Sequence, residues 1–290
     1  MTRVTLEHTT DTVTDRAYDR PDDFWRVRDL LIQTYPITPS GFNWEIRRWD
    51  GWNYHREKGG WQPEHADMVH LWETQDGHVV GVAHAEGDGE ACFEVHPDYR
   101  ADIEESMIGW AEAHLPAPYK NDTGDTRKRL IAYVLDYDTP RQQLLSARGW
   151  EKTDWLVVFR RMRIGARPLP PVPTLEGYTL RAIQDTTDDY VRLARVINDG
   201  FGKGDFHTPR EMEMFARYSP SFSHELTLVA ETLEDGIFAA HVGFTVDAAN
   251  RRAIIEPVCT HPHHLRKGLA RALMLEGYQR VKALGVTDVY

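Results

Sequence analysis

The sequence has few cysteines, with only Cys92 and Cys259 among its 290 residues. Two cysteines in a chain of this length do not make the dense disulfide framework of small secreted proteins, which favours a reducing compartment. The first fifteen residues, MTRVTLEHTTDTVTD, also lack the apolar core of a signal peptide. We therefore expect a cytoplasmic protein.

The sequence also lacks long apolar runs and an excess of basic residues. No apolar run approaches the roughly 20 residues that a membrane-spanning helix needs. Lys and Arg number 34 against 45 Asp and Glu, which gives a net charge of −11. Binding to a nucleic-acid backbone requires a basic face, so we predict neither a nucleic-acid nor a membrane partner. An acidic protein rather attracts a cationic or amine-bearing small molecule.

A proline-rich stretch divides the chain. Residues 167–174, RPLPPVPT, contain four prolines, which cannot continue a helix or an inner strand and instead form a stiff connector. A chain of this length has room for two ordinary domains. We predict an N-terminal domain over residues 1–166, a linker over 167–175 and a C-terminal domain over 176–290.

The two halves show the same order of predicted elements: strand, two helices, three strands, helix and strand, with the opening strand of the first half uncertain. ETQDG at residues 73–77 corresponds to ETLEDG at 231–236, and HPDYR at 96–100 corresponds to HPHHL at 261–265. This pattern predicts an internal duplication. The last two strands of the first half are predicted over residues 129–135 and 154–161, and the second helix of the second half over residues 209–218 with Thr208 as its cap. The predicted fold class is α/β (α+β), with two mixed, mostly antiparallel sheets flanked by helices.

The second half ends at its last predicted strand, residues 286–290, without counterparts of the final helix and strands of the first half. The C-terminal domain is therefore expected to be incomplete. Its last strand would leave an unpaired sheet edge, and such edges favour association with another chain. This predicts a homo-oligomer formed through the unfinished C-terminal sheet.

The segment LRKGLAR, residues 265–271, follows a predicted strand and opens a predicted helix. The first turn of a helix has four N–H groups without internal partners and carries partial positive charge, so it can bind a phosphate. Gly268 lets the backbone approach a ligand closely, and Ala270 is small. The segment predicts either a pyrophosphate-binding loop or an ordinary helix start with solvated basic residues.

The strand before this loop contains a proline. In IIEPVCT, residues 254–260, Pro257 cannot donate to a β-ladder. The interruption would expose N–H and C=O groups to which an extended amide-bearing ligand could bind. An edge strand or a bulge is the alternative interpretation.

Strand, loop and helix together resemble the acyl-CoA-binding segment of the GNAT-type N-acetyltransferases. The fingerprint of that family is Arg or Gln, two residues, Gly, one residue, then Gly or Ala; Gly268 and Ala270 match it, and Leu265 departs from it. The two halves resemble tandem members of the family, among them the mycothiol synthases. The resemblance implies direct transfer of an acetyl group from acetyl-CoA to an amine of a small-molecule acceptor.

The resemblance also implies which residues bind acetyl-CoA, mainly through their backbone. They are Val258, Cys259 and Thr260 on the strand, and Leu265, Arg266, Lys267, Gly268, Leu269, Ala270 and Arg271 in the loop and helix start.

The corresponding loop of the first half has a different charge. HPDYRADIEESMI keeps a basic residue at Arg100 but carries the β-branched Ile103 in place of the glycine. Its acids Asp102, Glu104 and Glu105 would repel a bound diphosphate and stabilise the helix start instead. We expect that the N-terminal copy is degenerate: it kept the fold and lost cofactor binding.

Glu256 is the acid on the strand preceding the loop, and it is the candidate catalytic base, acting through water. A solvated strand glutamate is the alternative. Cys259 has no sequence neighbour that marks a catalytic triad, so it is not predicted as a nucleophile. The spacing of His261, His263 and His264 matches no standard zinc pattern, and no metal is predicted.

Two further segments are candidates for an acceptor pocket. Residues 42–61 contain four of the nine tryptophans, and they form either a pocket wall or ordinary core packing. Residues 201–207 lie between the first two predicted helices of the second half, where Asp205 and the nearby Glu211 could attract an amine or simply be solvated.

Two rival functions remain. One is a non-catalytic CoA-binding or pseudo-enzyme scaffold with the same loop. The other is a nucleotide-phosphate binder, which is disfavoured because the sequence has no GxxxxGK[ST] or GxGxxG element.

Overall fold

The computed structural model describes residues 12–55, 67–120, 124 and 126–290. Most of the N-terminal fifteen residues and the end of the tryptophan-rich segment, residues 56–61, therefore lie outside the described part. Two compact units make up the chain. Unit 1 comprises Met1–Trp44 and Trp61–Trp155, and unit 2 comprises Glu45–Gly60 and Leu156–Tyr290. No helix in the described ranges is both long and apolar enough to cross a membrane.

The helices and strands of the described residues are numbered here in chain order. The α-helices are α1 (Asp23–Thr34), α2 (Ile46–Tyr54), α3 (Arg100–His114), α4 (Thr139–Ala147), α5 (Thr187–Phe201), α6 (Pro209–Tyr218) and α7 (Leu269–Ala283). The strands are β1 (Val13–Ala17), β2 (Val69–Thr74), β3 (Val79–His84), β4 (Glu90–Val95), β5 (Ala117–Lys120), β6 (Thr126–Arg129), β7 (Ile131–Ala132), β8 (Met162–Arg163), β9 (Tyr178–Ala182), β10 (Thr227–Thr232), β11 (Phe238–Asp247), β12 (Arg252–Thr260) and β13 (Asp288–Val289).

Unit 1 contains a five-stranded sheet in the order β1-β2-β3-β4-β7. Its pairings are antiparallel except for the parallel pair β4–β7. Helix α3 buries Ile103, Met107 and Ile108 in the core beside this sheet, and β5 and β6 form a separate hairpin. The uncertain opening strand of the first half is present as β1.

Unit 2 contains a six-stranded sheet in the order β8-β13-β12-β11-β10-β9. Only the β12–β13 pair is parallel. Leu269, Leu273 and Val281 of α7 belong to one core cluster, and Leu193 and Ile197 of α5 belong to another. Each unit thus has a mixed, mostly antiparallel sheet flanked by helices, which confirms the predicted fold class.

A buried charge cluster in unit 1 joins the first strand, the first helix and the second strand. Arg16 Nη2 lies 2.6 Å from Asp23 Oδ1, and Arg26 Nη2 lies 2.7 Å from Glu73 Oε2. Burial alone would raise the pKa of Asp23, but the hydrogen bond from Arg16 and its neighbours outweigh it and hold that pKa below the usual range.

Unit 2 repeats this cluster at the corresponding positions. Arg181 Nη1 lies 2.7 Å from Asp189 Oδ2, and Arg192 Nη1 lies 2.6 Å from Glu231 Oε1. Glu231 opens the ETLEDG motif as Glu73 opens ETQDG. The predicted duplication therefore has a counterpart in side-chain contacts as well as in the order of elements.

The edge of the last strand is paired, so the predicted unpaired edge is wrong. Met162 and Arg163 of β8 pair antiparallel with Val289 and Asp288 of β13, and Ile164 N donates to Thr287 O at 2.8 Å. The segment before the prolines, which we expected to finish the first half, enters the second sheet instead. The argument for homo-oligomerisation through the edge of β13 therefore loses its basis.

Two strands expected in the first half also differ from the structure. The strand predicted over residues 129–135 is reduced to β7. The strand predicted over residues 154–161 is absent from the described strands, and Leu156 and Val158 are 77% and 70% exposed. Apolar alternation alone indicated a strand at 154–161, but no described neighbouring strand pairs with it.

Two segments that we predicted to belong to the N-terminal domain, residues 45–60 and 156–166, belong to unit 2. Helix α2 lies within the segment of unit 2 that precedes the linker, and it packs against α6. The predicted linker is not a free spacer, because Leu169, Val172 and Leu175 pack against the core of unit 2. Lys282 Nζ also donates to Arg167 O at 2.6 Å.

Candidate active site

The site is built around an irregularity in β11 and β12. Their register shifts between the pairs Val242–Val258 and Phe244–Ile255, which leaves Gly243 opposite the cis Glu256–Pro257 peptide. A Cβ atom on Gly243 would lie 2.7 Å from Glu256 O. Only glycine therefore fits at this position in β11.

Strand β12 has a backbone partner on its other side only at its start. The parallel pairing with β13 covers Arg252 and Ala253, and Ile255 N donates to Tyr290 O at 2.9 Å. Beyond Ile255, none of the described backbone groups pairs with this edge. His261 N donates to Ala239 O of β11 at 2.9 Å. Because bonding directions alternate along an antiparallel ladder, Val258 and Thr260 direct their N–H groups to the open edge.

The loop between β12 and α7 contains two residues in the left-handed region of backbone conformation. Arg266 and Gly268 both adopt positive φ angles, +64° and +80°. Backbone that alternates between right- and left-handed conformations turns successive N–H groups toward one concavity, which binds anions. Gly268 is the N-cap of α7, and a Cβ atom there would meet no protein atom within 4 Å.

Seven consecutive backbone N–H groups, those of residues 265–271, donate to no acceptor among the residues that the structure describes. The first amide with an acceptor is Ala272 N, which donates to Gly268 O at 3.0 Å. Arg266 and Arg271 are exposed here, whereas the Leu269 side chain is 1% exposed and lies in the core. Leu269 can therefore contribute only its backbone to a ligand.

Among the predicted basic residues of the loop, Lys267 has a described hydrogen bond to a residue of β9. Its Nζ donates to Tyr178 Oη at 2.8 Å, and Tyr178 Oη in turn lies 2.7 Å from His264 Nδ1. This hydrogen bond holds the Lys267 ammonium group at Tyr178.

At the corresponding helix start in unit 1 the amides find backbone acceptors sooner, beginning with Arg100 N, which donates to Pro97 O at 3.4 Å. The amides of Asp102 and Ile103 both donate to Tyr99 O. Arg100 lies 2.7 Å from both Glu104 Oε2 and Asp138 Oδ1, so its charge is neutralised. These contacts agree with the expectation that the N-terminal copy does not bind CoA, which stays a prediction.

Glu256 lies near two charged residues of the α2 segment. Burial raises the pKa of Glu45, and the negative charge of Glu256 adds to this effect. Burial lowers the pKa of Arg47, and Glu256 opposes that shift. Arg47 also stacks over Phe215 of α6, with Cζ 4.5 Å from the ring centroid.

Sequence reasoning missed Glu45 and Arg47 as site residues. The tryptophan-rich segment was considered as a pocket wall, but no spacing in the sequence connects it to Glu256. Tertiary packing alone brings α2 to this side of unit 2.

The Cys259 thiol is poorly placed to act as a nucleophile. Its Sγ is buried 3.5 Å from Val196 O, and burial raises the pKa of the thiol to about 12. The exposed side chains at this point of β12 are those of its neighbours, with Val258 37% exposed. Cys259 can therefore contribute only its backbone to a ligand site.

The fold and the site define a two-unit mixed α/β protein in which an open strand edge precedes a helix start with unpartnered amides. Residues 192–290 match the model of the acetyltransferase (GNAT) family. This part of the chain is therefore similar to a GNAT acetyltransferase domain, as the resemblance of its loop indicated. A search of curated protein sequences finds no significant match.

Solved structures of GNAT proteins share the fold over almost the whole chain. A GCN5-related N-acetyltransferase from Sphaerobacter thermophilus is 18% identical, with a TM-score of 0.58 over 96% of this chain and 85% of that one. A tandem GNAT protein from the clavulanic acid biosynthesis pathway is 14% identical, with a TM-score of 0.58 over 96% of this chain and 89% of that one. The division of this chain into two units is therefore similar to the arrangement of a tandem GNAT protein.

Proposed function

We propose that unit 2 is an N-acetyltransferase that moves an acetyl group from acetyl-CoA directly to an amine of a small-molecule acceptor. The observation that carries this proposal is the row of seven amides at residues 265–271, adjacent to the open edge of β12. The family match over residues 192–290 supports it.

Acetyl-CoA has a polyanionic part, which suits the amide row, and an amide-bearing part, which suits the open edge of β12. Its diphosphate would accept hydrogen bonds from the amides around Gly268, with Arg266 and Arg271 adding positive charge. Its pantetheine arm would lie along β12 and bond with the outward backbone groups of Val258 and Thr260. Such an arm would take the place of a missing neighbouring strand.

The reaction is direct transfer. The acceptor nitrogen attacks the thioester carbonyl carbon, the N–C bond forms, and the developing oxyanion accepts a hydrogen bond from a backbone N–H of β12. Before the attack, Glu256 takes one proton from the ammonium form of the acceptor through a water molecule, which leaves a neutral amine. The C–S bond then breaks, and the CoA thiolate takes, through water, the second proton that the nitrogen loses.

The charges around Glu256 support an amine acceptor. Glu256 and Glu45 are two carboxyl groups on one side of unit 2, and a protonated amine would reduce their repulsion. Arg47 beside them would orient an acceptor that also carries an acidic or carbonyl group.

Hydrogen exchange with and without acetyl-CoA tests the binding step. We expect acetyl-CoA to slow exchange of the amides of residues 265–271 in unit 2 and to leave those of residues 100–103 in unit 1 unchanged. Equal exchange with and without acetyl-CoA at residues 265–271 would contradict the proposal.

Turnover with a panel of small amines tests the transfer step, read as release of free CoA thiol. The variant Glu256→Gln should lower kcat by about a hundredfold or more while keeping the affinity for acetyl-CoA, because general bases contribute about 10²–10⁴ to rate. The control is Glu225→Gln, whose side chain is 85% exposed. Binding without turnover of any amine would favour the scaffold alternative.

A further inference from the structure

Three potential metal ligands meet in unit 2, away from the amide row. His55 follows the last turn of α2, where its backbone N–H donates to Gly51 O at 2.8 Å. His207 precedes Thr208, the N-cap of α6, and Glu211 lies in the first turn of that helix. The three ligand atoms all lie within 4.8 Å of one another.

The spacing of two of these atoms suits an ion. His207 Nδ1 lies 3.5 Å from Glu211 Oε1. Two ligands at about 2.0–2.1 Å from a tetrahedral zinc ion stand about 3.3 Å apart. His55 Nδ1 contacts the same oxygen of Glu211 directly, so an ion would enter between them and replace that hydrogen bond.

His207 has an unused ligand atom. Its Nδ1 is shielded from solvent and has no hydrogen-bond partner within the described part of the chain. Its backbone is fixed in both directions by Asn198, since His207 N donates to Asn198 Oδ1 at 2.9 Å and Asn198 Nδ2 donates to His207 O at 2.8 Å. A buried imidazole nitrogen without a partner, held in place by a fixed backbone, is ready to bind a ligand.

The capping box at the start of α6 orients Glu211 toward the two histidines. Glu211 Oε2 accepts from Thr208 N at 3.4 Å in a capping box, so Oε1 is free to face the histidines.

A second cluster, His84, Cys92 and Glu94 in unit 1, is a weaker candidate. Its residues are 0%, 8% and 2% exposed, which leaves an ion no path from solvent. Both oxygens of Glu94 already accept hydrogen bonds, from His84 Nε2 at 3.2 Å and from Trp44 N at 2.5 Å. In the first cluster the side chains of His55, His207 and Glu211 remain 19%, 21% and 13% exposed.

We propose that His55, His207 and Glu211 bind a divalent transition-metal ion of the zinc class that joins α2 to α6. Two imidazoles and one carboxylate are ligands that zinc and its neighbours accept, and the fourth position would hold water. The ion would fix the N-terminal segment of unit 2 against the helix that it packs on.

The test uses the full chain after removal of metal with a chelator, titrated with zinc chloride in a calorimeter and with cobalt chloride in an absorption spectrometer. We expect one ion per chain and the visible d–d bands of four-coordinate cobalt. His207→Gln should weaken zinc binding at least about tenfold, since even outer-shell changes at metal sites cost about 10–100-fold. Glu211→Gln should do the same, and it keeps the capping box because glutamine serves there as well.

The matched control is His263→Gln, an exposed histidine of the HPHH turn, which should leave zinc affinity unchanged. Zinc should also raise the thermal midpoint of the unchanged chain but not that of His207→Gln. Absence of zinc binding, an equal loss in His263→Gln and His207→Gln, or no loss in either site variant would overturn the proposal.

Discussion

At the scale of single residues, the two glycines at the ends of α7 have the same left-handed backbone conformation, but only one of them lies in the proposed binding segment. Gly268 at the start has φ +80° and Gly285 after the end has φ +85°, and a side chain at either would meet no protein atom within 4 Å. Only Gly268 belongs to the row of unpartnered amides at residues 265–271. A side chain at Gly268 would therefore point to where the proposed diphosphate lies.

Gly268→Val and Gly285→Val separate strain from binding. Each should cost about 1–2 kcal/mol of stability, because a left-handed conformation is unfavourable for residues with a Cβ atom. Gly268→Val should in addition weaken acetyl-CoA binding at least about tenfold, or 1.4 kcal/mol. Urea unfolding and calorimetric titration measure the two effects. Equal affinity in the two variants would show that the amide row does not bind the ligand.

His241 in β11 predicts a pH dependence of stability. It is 2% exposed, and burial lowers the pKa of its imidazole from 6.5 to about 4 while Nδ1 bonds with Leu228 O at 3.0 Å. Between these pH values the unfolded chain binds a proton that the folded chain does not. Stability from this group is therefore fully present above pH 6.5 and is lost as the pH falls toward 4.

The loss should approach roughly 3 kcal/mol near pH 4, since one pKa unit corresponds to about 1.4 kcal/mol. Urea unfolding of the unchanged chain and of His241→Gln, each measured across this pH range, gives the contribution by difference. The variant should show the shallower dependence. Parallel pH curves would mean that His241 is already protonated or exposed.

At the scale of elements, β8 shows how a short strand can complete a sheet. The adjoining Ile164 is fully buried among the residues of the unit 2 core. Ile164→Ala should cost about 2–5 kcal/mol through the cavity that it leaves. Val158→Ala, at a position that is 70% exposed, should stay within about 0.5 kcal/mol. Denaturant unfolding compares the two, and similar small losses would mean that this segment contributes little to the core.

Local sequence signals predicted several elements of unit 2 well. Helix α6 runs over the predicted residues 209–218 with Thr208 as its cap, and α7 begins at the predicted loop. Strand β8 could not be predicted, because its two residues have no periodicity and form a strand only by pairing with distant β13. Residues 154–161 were wrongly predicted as a strand, because they have the apolar pattern of a strand but no described strand pairs with them.

At the scale of the whole chain, the repeated charge cluster offers a paired prediction. Asp23 and Asp189 are 0% and 1% exposed and hold two arginines each. Asp23→Asn and Asp189→Asn should each destabilise their own unit by about 3–5 kcal/mol, because removing one partner leaves buried charge uncompensated. Hydrogen exchange should rise mainly in β1 and β2 for the first variant and in β9 and β10 for the second.

The exposed pair Arg210 and Glu213 in α6, 2.9 Å apart, supplies the control for both variants. Glu213→Gln should change stability by less than about 1 kcal/mol. Exchange that rises equally throughout the chain in Asp23→Asn and Asp189→Asn would contradict separate stabilisation of the two units.

The candidate site was partly readable from the sequence. The amide row and the open strand were predicted because all their residues lie within one stretch, 252–271, with local glycine, proline and helix-start signals. Glu45, Arg47 and the His55–His207–Glu211 cluster were not, since their members come from both sides of the proline-rich stretch. Contacts between such distant segments depend on tertiary packing, which no local pattern encodes.

Because unit 2 is built from sequence on both sides of the proline-rich stretch, it cannot be exchanged as one continuous segment in evolution or in protein engineering. Unit 2 takes α2 and β8 from the sequence ahead of the prolines and its other elements from the sequence behind them. A gene fragment starting after the prolines would encode a sheet without its outermost strand and a helix pair without one member. Recombination could therefore exchange unit 2 of this protein only together with much of the sequence that precedes the prolines.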